Sequence, residues 1–315
     1  MAPLSKTELY RRMLRIRLIE EAIAERYASQ EMRCPVHLSI GQEGPAVGVC
    51  AGLRPDDLVM SSHRSHGHYL AKGGDLFGML SELYGRATGV SAGKGGSMHL
   101  IDLSCGFLGA TPIVGSTIAI AVGAAFGLKL QGDKRVVAAF FGEGSTEEGV
   151  FSEALNFAAL KKLPIVFVCE NNLYSVYSPL SVRQSKGRSV AGLARAHGIK
   201  TLKGDGNDVV KTVALTAAAA RHARSAAGPV YLELETYRWR EHCGPNYDND
   251  IGYRSPAEFA KWKKRCPLLR LEKALKPAAV AAMTAVIKAE LDDAFRRAHA
   301  APYPAKSELL KDVVA

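Results

Sequence analysis

Two short, wholly apolar runs with one helix-length segment between them constrain this chain more than any other feature. Val136 to Phe141 (VVAAFF) ends at Gly142, and Ile165 to Cys169 (IVFVC) ends at Glu170. The stretch between them, Phe151 to Lys161, places apolar residues at helical spacing. Strands that are apolar on both sides must be covered on both sides, so the three pieces read as a βαβ unit of a parallel sheet. A third run, Val230 to Leu234, follows the alanine-rich helical stretch Val209 to Ser225. The alternation predicts an α/β fold, an open and mostly parallel sheet with helices on both faces.

The flanking segments complete the reading. Residues 7–28 carry Leu9, Met13, Ile16, Ile19, Ile23 and Tyr27 at steps of three and four, an amphipathic helix with Ser5 or Thr7 near its cap. Ile118 to Leu130 predicts a buried helix in which Gly123 and Gly127 permit close packing. Lys276 to Ala298 opens with Pro277 and reads as a peripheral helix. Between Leu53 and Gly115 the chain is dense in Gly, His and Ser, which predicts long loops that carry function. No repeat and no Gly/Ser- or Pro-rich linker divides the sequence. Residues 1–315 are therefore expected to form one domain, with an N-terminal helix over about 5–28 and a C-terminal helical extension over about 255–315.

Composition removes several classes. With 47% hydrophobic and 23% charged residues, and no apolar run near the roughly 20 residues that a bilayer-spanning helix needs, no membrane crossing is expected. The start lacks an apolar signal core and turns charged by Glu8, so a cytoplasmic location is expected. The six cysteines contain no CxxC pair, against a zinc ribbon, a redox dithiol or a disulfide framework. A net charge of +10 would suit nucleic acid, yet basic and acidic residues interleave and only Lys261 to Arg265 forms a compact cluster. An anionic ligand or an acidic partner domain is the better match, and no nucleic acid is expected.

The chemistry lies at the strand ends, where parallel sheets bind ligands. Glu143, Gly144 and Ser145 follow the first run, and Glu170, Asn171, Asn172 and Tyr174 follow the second. Neighbouring parallel strands would bring the Glu143 carboxylate and the Asn172 amide oxygen together. Completed by water and phosphate oxygens, that set suits octahedral magnesium. The same GEGSTEEG stretch could instead be a turn capped into the next helix by Ser145 and Thr146. A dinucleotide fingerprint lacks its third glycine, since Glu147 stands there, and no GxxxxGKS or GxxxxGKT loop is present. His63, His66 and His68 could suggest zinc but lack a fourth ligand partner.

The GEG followed by a helix containing ALNFAALKKLP and a strand ending in ENN resembles the GDG and NN thiamine diphosphate motif. The wider pattern is similar to the alpha subunit of the decarboxylating component of 2-oxo acid dehydrogenases, a family that includes pyruvate and acetoin dehydrogenases. HLSIGQE, HRSHGH, GKGGSMH, PIVG and TYRWREH follow in family order, over roughly residues 8–270.

The resemblance implies a thiamine diphosphate-binding fold and a set of roles. It assigns magnesium to Glu143, the Asn172 side chain and the Tyr174 carbonyl, and the diphosphate to His63, Arg64, Gly144 and Ser145. Pro112 and Val114 match positions that meet the aminopyrimidine ring. His242, His37 and His66 are the catalytic histidines it implies, His242 on a mobile loop and also in contact with the cofactor, and His37 facing the 2-oxo acid. Glu143 stands in place of the family's Asp, His63 in place of Tyr, and Pro112 where Gly is frequent. Cys243 stands where animal pyruvate dehydrogenases carry a phosphorylated serine, and the GPNYDNDIGYRS continuation departs from the common one.

In this family a glutamate beside the pyrimidine comes from a separate beta subunit, which implies an alpha2beta2 heterotetramer and a lipoyl-bearing acyltransferase as acceptor. A thiamine-dependent aldehyde-transfer or decarboxylase enzyme without lipoamide, and a non-catalytic scaffold relative, stand as alternatives.

Overall fold

A computed structural model describes residues 4–311. Its centre is a six-stranded sheet of β1 (Leu58–Ser61), β2 (Phe107–Ala110), β3 (Val137–Gly142), β4 (Ile165–Asn171), β7 (Lys200–Asp205) and β8 (Val230–Glu235). A two-residue hairpin, β5 (Tyr174–Ser175) with β6 (Ser178–Pro179), stands apart from it. The sheet order is β2-β1-β3-β4-β8-β7 and every pairing is parallel.

Alternate residues of the central strands feed two cores. Ala138, Phe140, Val166, Val168, Leu232 and Leu234 pack against α1 (Lys6–Tyr27), α2 (Glu43–Gly52), α3 (His66–Lys72), α4 (Leu76–Leu83), α9 (Val209–Arg224) and α12 (Pro277–Ala300). Val137, Ala139, Phe141, Ile165 and Phe167 pack against α5 (Ser116–Leu130), α6 (Gly149–Leu160) and α8 (Val190–Ala196). With a period of two and both faces covered, every position of β3 up to Phe141 has to be apolar, which is why the run is unbroken. The short helices α7 (Leu180–Arg183), α10 (Pro256–Lys264) and α11 (Pro267–Glu272) complete the described chain.

Several expectations need correction. Leu53 to Gly115 is not a stretch of long loops: it supplies β1, β2, α3 and α4. Its strands have four residues each and are too short to display a period. The edge strand β7 carries no apolar run in the sequence because it is half exposed and reads KTLKGD. Helix α5 forms as expected but only one face is buried, and a Cβ added at Gly123 or Gly127 would meet nothing within 4 Å. The two glycines face outward instead of packing against the sheet.

The terminal helices share one core, with Ile287, Leu291 and Phe295 of α12 clustered with Leu9, Met13 and Ile16 of α1. Ser5 caps α1 by accepting the Glu8 N–H at 3.1 Å. No helix of the described residues is long and apolar enough to cross a membrane. All six cysteines are free thiols.

Candidate active site

The sheet order reverses direction between β1 and β3, the point at which a parallel sheet opens a crevice beyond its carboxyl edge. A cleft of about 180 Å³ lies there. Its walls are Ser62, His63 and Arg64 after β1, Gly142 to Ser145 after β3, and Arg238 and His242 after β8. Glu170, Asn172, Tyr174, Ser175 and Val176 close it from the end of β4, with His37, Gln42, Met98, Pro112 and Val114 from other segments. Eleven residues singled out in the sequence thus face one space: His37, His63, Arg64, Pro112, Val114, Glu143, Gly144, Ser145, Asn172, Tyr174 and His242.

Backbone hydrogen bonds tie together the loops that carry the histidines. The Trp239 N–H donates to the Ile40 carbonyl at 3.0 Å, and the Gly244 N–H to the Val36 carbonyl at 2.8 Å. His242 is therefore pinned against the segment that bears His37. Gly41 has φ +98°, and a Cβ there would sit 2.5 Å from both the Trp239 ring and the Tyr237 carbonyl, so only glycine permits this contact. Arg64 clamps both loops, donating to the Leu38 carbonyl at 2.7 Å and to the His242 carbonyl at 3.0 Å.

Three imidazoles meet as a result. Ring centroids lie 4.7 Å apart for His37 and His63, 5.0 Å for His37 and His242, and 5.3 Å for His63 and His242. Burial, followed by the nearby Arg64 charge, lowers His37 to about 2 and His63 and His242 to about 3. All three are neutral at pH 7. Their nitrogens gather within 4.8 Å of one another, a spacing compatible with a metal ion. The electrostatics favour the opposite charge: Arg64 Nη2 lies 3.4 Å from His242 Nδ1, and buried Arg238 lines the same cleft. Two guanidiniums fixed by carbonyl groups prepare the space for an anion.

At the other end of the cleft Glu143 is 1% exposed and ion-paired with Arg183 at 2.6 Å. Burial raises its carboxyl to about 7, and Arg183 opposes the shift without cancelling it. The Asn172 side-chain oxygen accepts the Tyr174 N–H at 3.1 Å. Leu173 and Val176 flank this turn with φ of 74° and 53°, a left-handed conformation that side-chain-bearing residues adopt at a cost of about 1–3 kcal/mol. Such strain concentrates where a site dictates the backbone. The Tyr174 ring points away, its hydroxyl donating to Glu258 at 2.9 Å.

His66 needs correction. It is fully buried, does not line the cleft, and engages Glu20 at 2.7 Å through Nδ1 and Ser97 at 2.7 Å through Nε2. Both nitrogens have protein partners, so it is a positioning residue. His68 likewise contacts Ser61 at 2.8 Å and Glu170 at 3.1 Å while stacking on Phe140 at 3.8 Å. A zinc site of His63, His66 and His68 is thereby removed, because two of the three have no free nitrogen.

A family model described as dehydrogenase E1 component matches residues 11–307. The chain belongs to that family. It is 37% identical over 311 residues to the alpha subunit of acetoin:2,6-dichlorophenolindophenol oxidoreductase of Bacillus subtilis, covering 97% of this chain and 92% of the relative. It is 38% identical over 314 residues to the pyruvate dehydrogenase E1 component subunit alpha of Zymomonas mobilis, covering 98% and 88%. A human testis-specific mitochondrial pyruvate dehydrogenase E1 component subunit alpha is 36% identical over 310 residues, covering 95% and 77%.

Three further charged residues stand at the candidate site without a role in the sequence reading. Arg238 lies within the TYRWREH signature, four residues before His242, and its strand-end position was the available signal. Glu170 opens the ENN stretch and faces the cleft with one oxygen lacking a partner. Arg183 reaches Glu143 from 40 residues away after the β5–β6 hairpin, and no local pattern announces it.

Proposed function

We propose that this chain is the alpha subunit of a thiamine diphosphate- and magnesium-dependent decarboxylating dehydrogenase acting on a pyruvate-like 2-oxo acid or on acetoin. The observation that carries the reading is the single cleft at the β1/β3 switch point, cationic at one end and carboxylate-bearing at the other, in a chain whose family match spans residues 11–307. The polar lining that this chain contributes suits part of the group, the rest being left to the partner subunit. His37 Nδ1, Gln42 Oε1 and Glu170 Oε1 are buried polar atoms without partners, and the space over Gly142 is open for 4 Å.

Thiamine diphosphate, when bound, supplies the electron sink for cleaving the bond beside the substrate carbonyl. This chain's own residues hold and orient. Arg64, with His63, Gly144 and Ser145, would bind the diphosphate, and Arg238 adds its charge to that wall. Glu143, Asn172 and the Tyr174 carbonyl would hold magnesium, which gives the buried Glu143 carboxylate a second source of compensation besides Arg183. Pro112 and Val114 would meet the pyrimidine ring. His37 and His242 are neutral near pH 7 in the unliganded cleft, and the negative charge of a bound diphosphate or substrate carboxylate would raise them towards the range in which a ring nitrogen can accept and return a proton beside the substrate.

A glutamate beside the pyrimidine is left to a beta subunit, in an alpha2beta2 heterotetramer. The outward face of α5 supports such a partner, because Ile120 and Leu130 are 48% and 72% exposed on the helix that carries the open Gly123 and Gly127. A lipoyl-bearing acyltransferase as acceptor and a cytoplasmic location belong to the same proposal, the latter supported by six free thiols.

The test is turnover with and without the partner. Reconstituted with its beta subunit, the chain should release carbon dioxide from pyruvate or reduce a dye with acetoin, only when thiamine diphosphate and magnesium are present. The purified chain alone should be silent; decarboxylation by it alone would overturn the assignment.

A further inference from the structure

A second cavity, larger than the cleft described above, lies elsewhere in the described residues. It measures about 770 Å³ and lies at the opposite, amino edge of the sheet, between the first half of α1, the turn before β1, the end of α3 and α9. Its floor is apolar: Ile16, Leu53, Leu70, Ala71 and Ala220 are each 8% exposed or less. Its rim carries six arginines and one lysine against a single lining acid, Asp56.

The counter-ions do not balance that charge. Arg11 and Arg12 share one carboxylate, Glu8, at 2.8 Å each. Arg15 pairs with Glu290 at 2.6 Å and Arg224 with Asp57 at 2.6 Å. Lys72 donates to the Pro55 carbonyl at 2.7 Å, which leaves its charge uncompensated. Arg54 and Arg221 make no ion pair among the described residues. Three positive charges remain in excess once these acids and Asp56 are set against the seven cations. Gathering like charges around one concavity raises the free energy of the folded state, and a bound anion relieves it.

We propose that this cavity binds a small molecule with a polyanionic head, such as two or more phosphates, and an apolar or aromatic body. The volume lies within the range that encloses a small ligand, roughly 300–1,000 Å³. Guanidinium forks suit phosphate or carboxylate oxygens, and the buried aliphatic floor suits a ring or an alkyl segment. A localised concavity with an apolar base does not suit a nucleic acid backbone, which needs an extended basic track. This site is independent of the thiamine diphosphate reading, since it shares no lining residue with the cleft at the carboxyl edge.

The experiment is calorimetric titration of the complete, partner-assembled protein, with thiamine diphosphate saturating and magnesium in excess so that the other phosphate site is filled. Tripolyphosphate probes the head alone, and ATP probes head and body together. Both should bind saturably, ATP more tightly, with affinity falling as salt rises. Arg54→Glu with Arg221→Glu should weaken both by on the order of tenfold or more, the effect of losing charge-assisted contacts, while leaving turnover unchanged and the melting temperature of the unliganded protein no lower, because like-charge repulsion on the rim is relieved. Ala217→Phe, which fills the cavity from α9, should weaken ATP and spare tripolyphosphate. No saturable binding, binding that survives the double charge reversal, or tripolyphosphate binding as tightly as ATP would each overturn the proposal.

Discussion

Glu20 of α1 is 0% exposed and holds two parts of the candidate site at once. One oxygen accepts the Ser39 N–H at 2.6 Å, beside the Leu38 carbonyl that fixes Arg64. The other meets His66 Nδ1 at 2.7 Å, and His66 passes the link on to Ser97. Glu20→Ala removes the acceptor from two buried donors. At about 1.5–3 kcal/mol for each hydrogen bond to a charged group, the loss is about 3–6 kcal/mol. An unfolding entropy of about 2.1 cal/mol/K per residue, taken over 315 residues, converts each kcal/mol into roughly 1.5 °C. Scanning calorimetry should therefore show a melting temperature lower by about 5–9 °C. Glu20→Gln keeps one acceptor and one donor and should lose roughly half as much. Thiamine diphosphate affinity should fall in parallel, because Ser39 and Arg64 lose their common support. A shift below about 2 °C for Glu20→Ala would refute the reasoning, since the buried pair would then contribute nothing.

Acid should weaken the fold through the histidine cluster. His37 is held near 2 and His63 and His242 near 3, below the ordinary 6.5, so the folded state resists protons that the unfolded state binds. Their contribution is complete above pH 6.5 and is lost as pH falls towards about 3, beside the unchanging charges of Arg64 and Arg238; melting temperatures measured across that window should fall less steeply in a variant with all three replaced by Gln, and equal slopes would count against the cluster. His242→Ala should leave thiamine diphosphate affinity within about threefold while lowering turnover of the complete assembly by roughly 100-fold or more, the effect of losing a positioned acid-base group; wild-type turnover would remove His242 from the mechanism.

The parts of the fold legible in the sequence were those whose physics leaves no alternative. β3, β4 and β8 lie inside the sheet with both faces covered, so their apolar runs are continuous. β7 occupies an edge, where Lys200 and Lys203 can face solvent, and it carries no such mark. α2 reads EGPAVGVCAG, a poor helix by propensity, and it forms because Gly44, Gly48 and Gly52 let it lie directly on Asn207 and α9. The site followed the same division. Residues immediately after apolar strands were found from the motif, whereas the direction of a side chain on a short helix was not. His66 stands at the first position of α3 and points inward to α1, while His63, three residues earlier, opens into the cleft.

The most direct test of the central claim, that the cofactor is held in the cleft at the β1/β3 switch point with its magnesium between the ends of β3 and β4, is calorimetric titration of the partner-assembled protein with thiamine diphosphate in the presence of magnesium. Asn172 offers its side-chain oxygen at that point without contributing to the sheet ladder, so Asn172→Ala removes the ligand and leaves the strand pairing. The account predicts saturable binding by the wild type and its loss, by about 100-fold or more, in the variant, in line with removal of a metal-site group. Unchanged affinity in a correctly folded Asn172→Ala protein would contradict it.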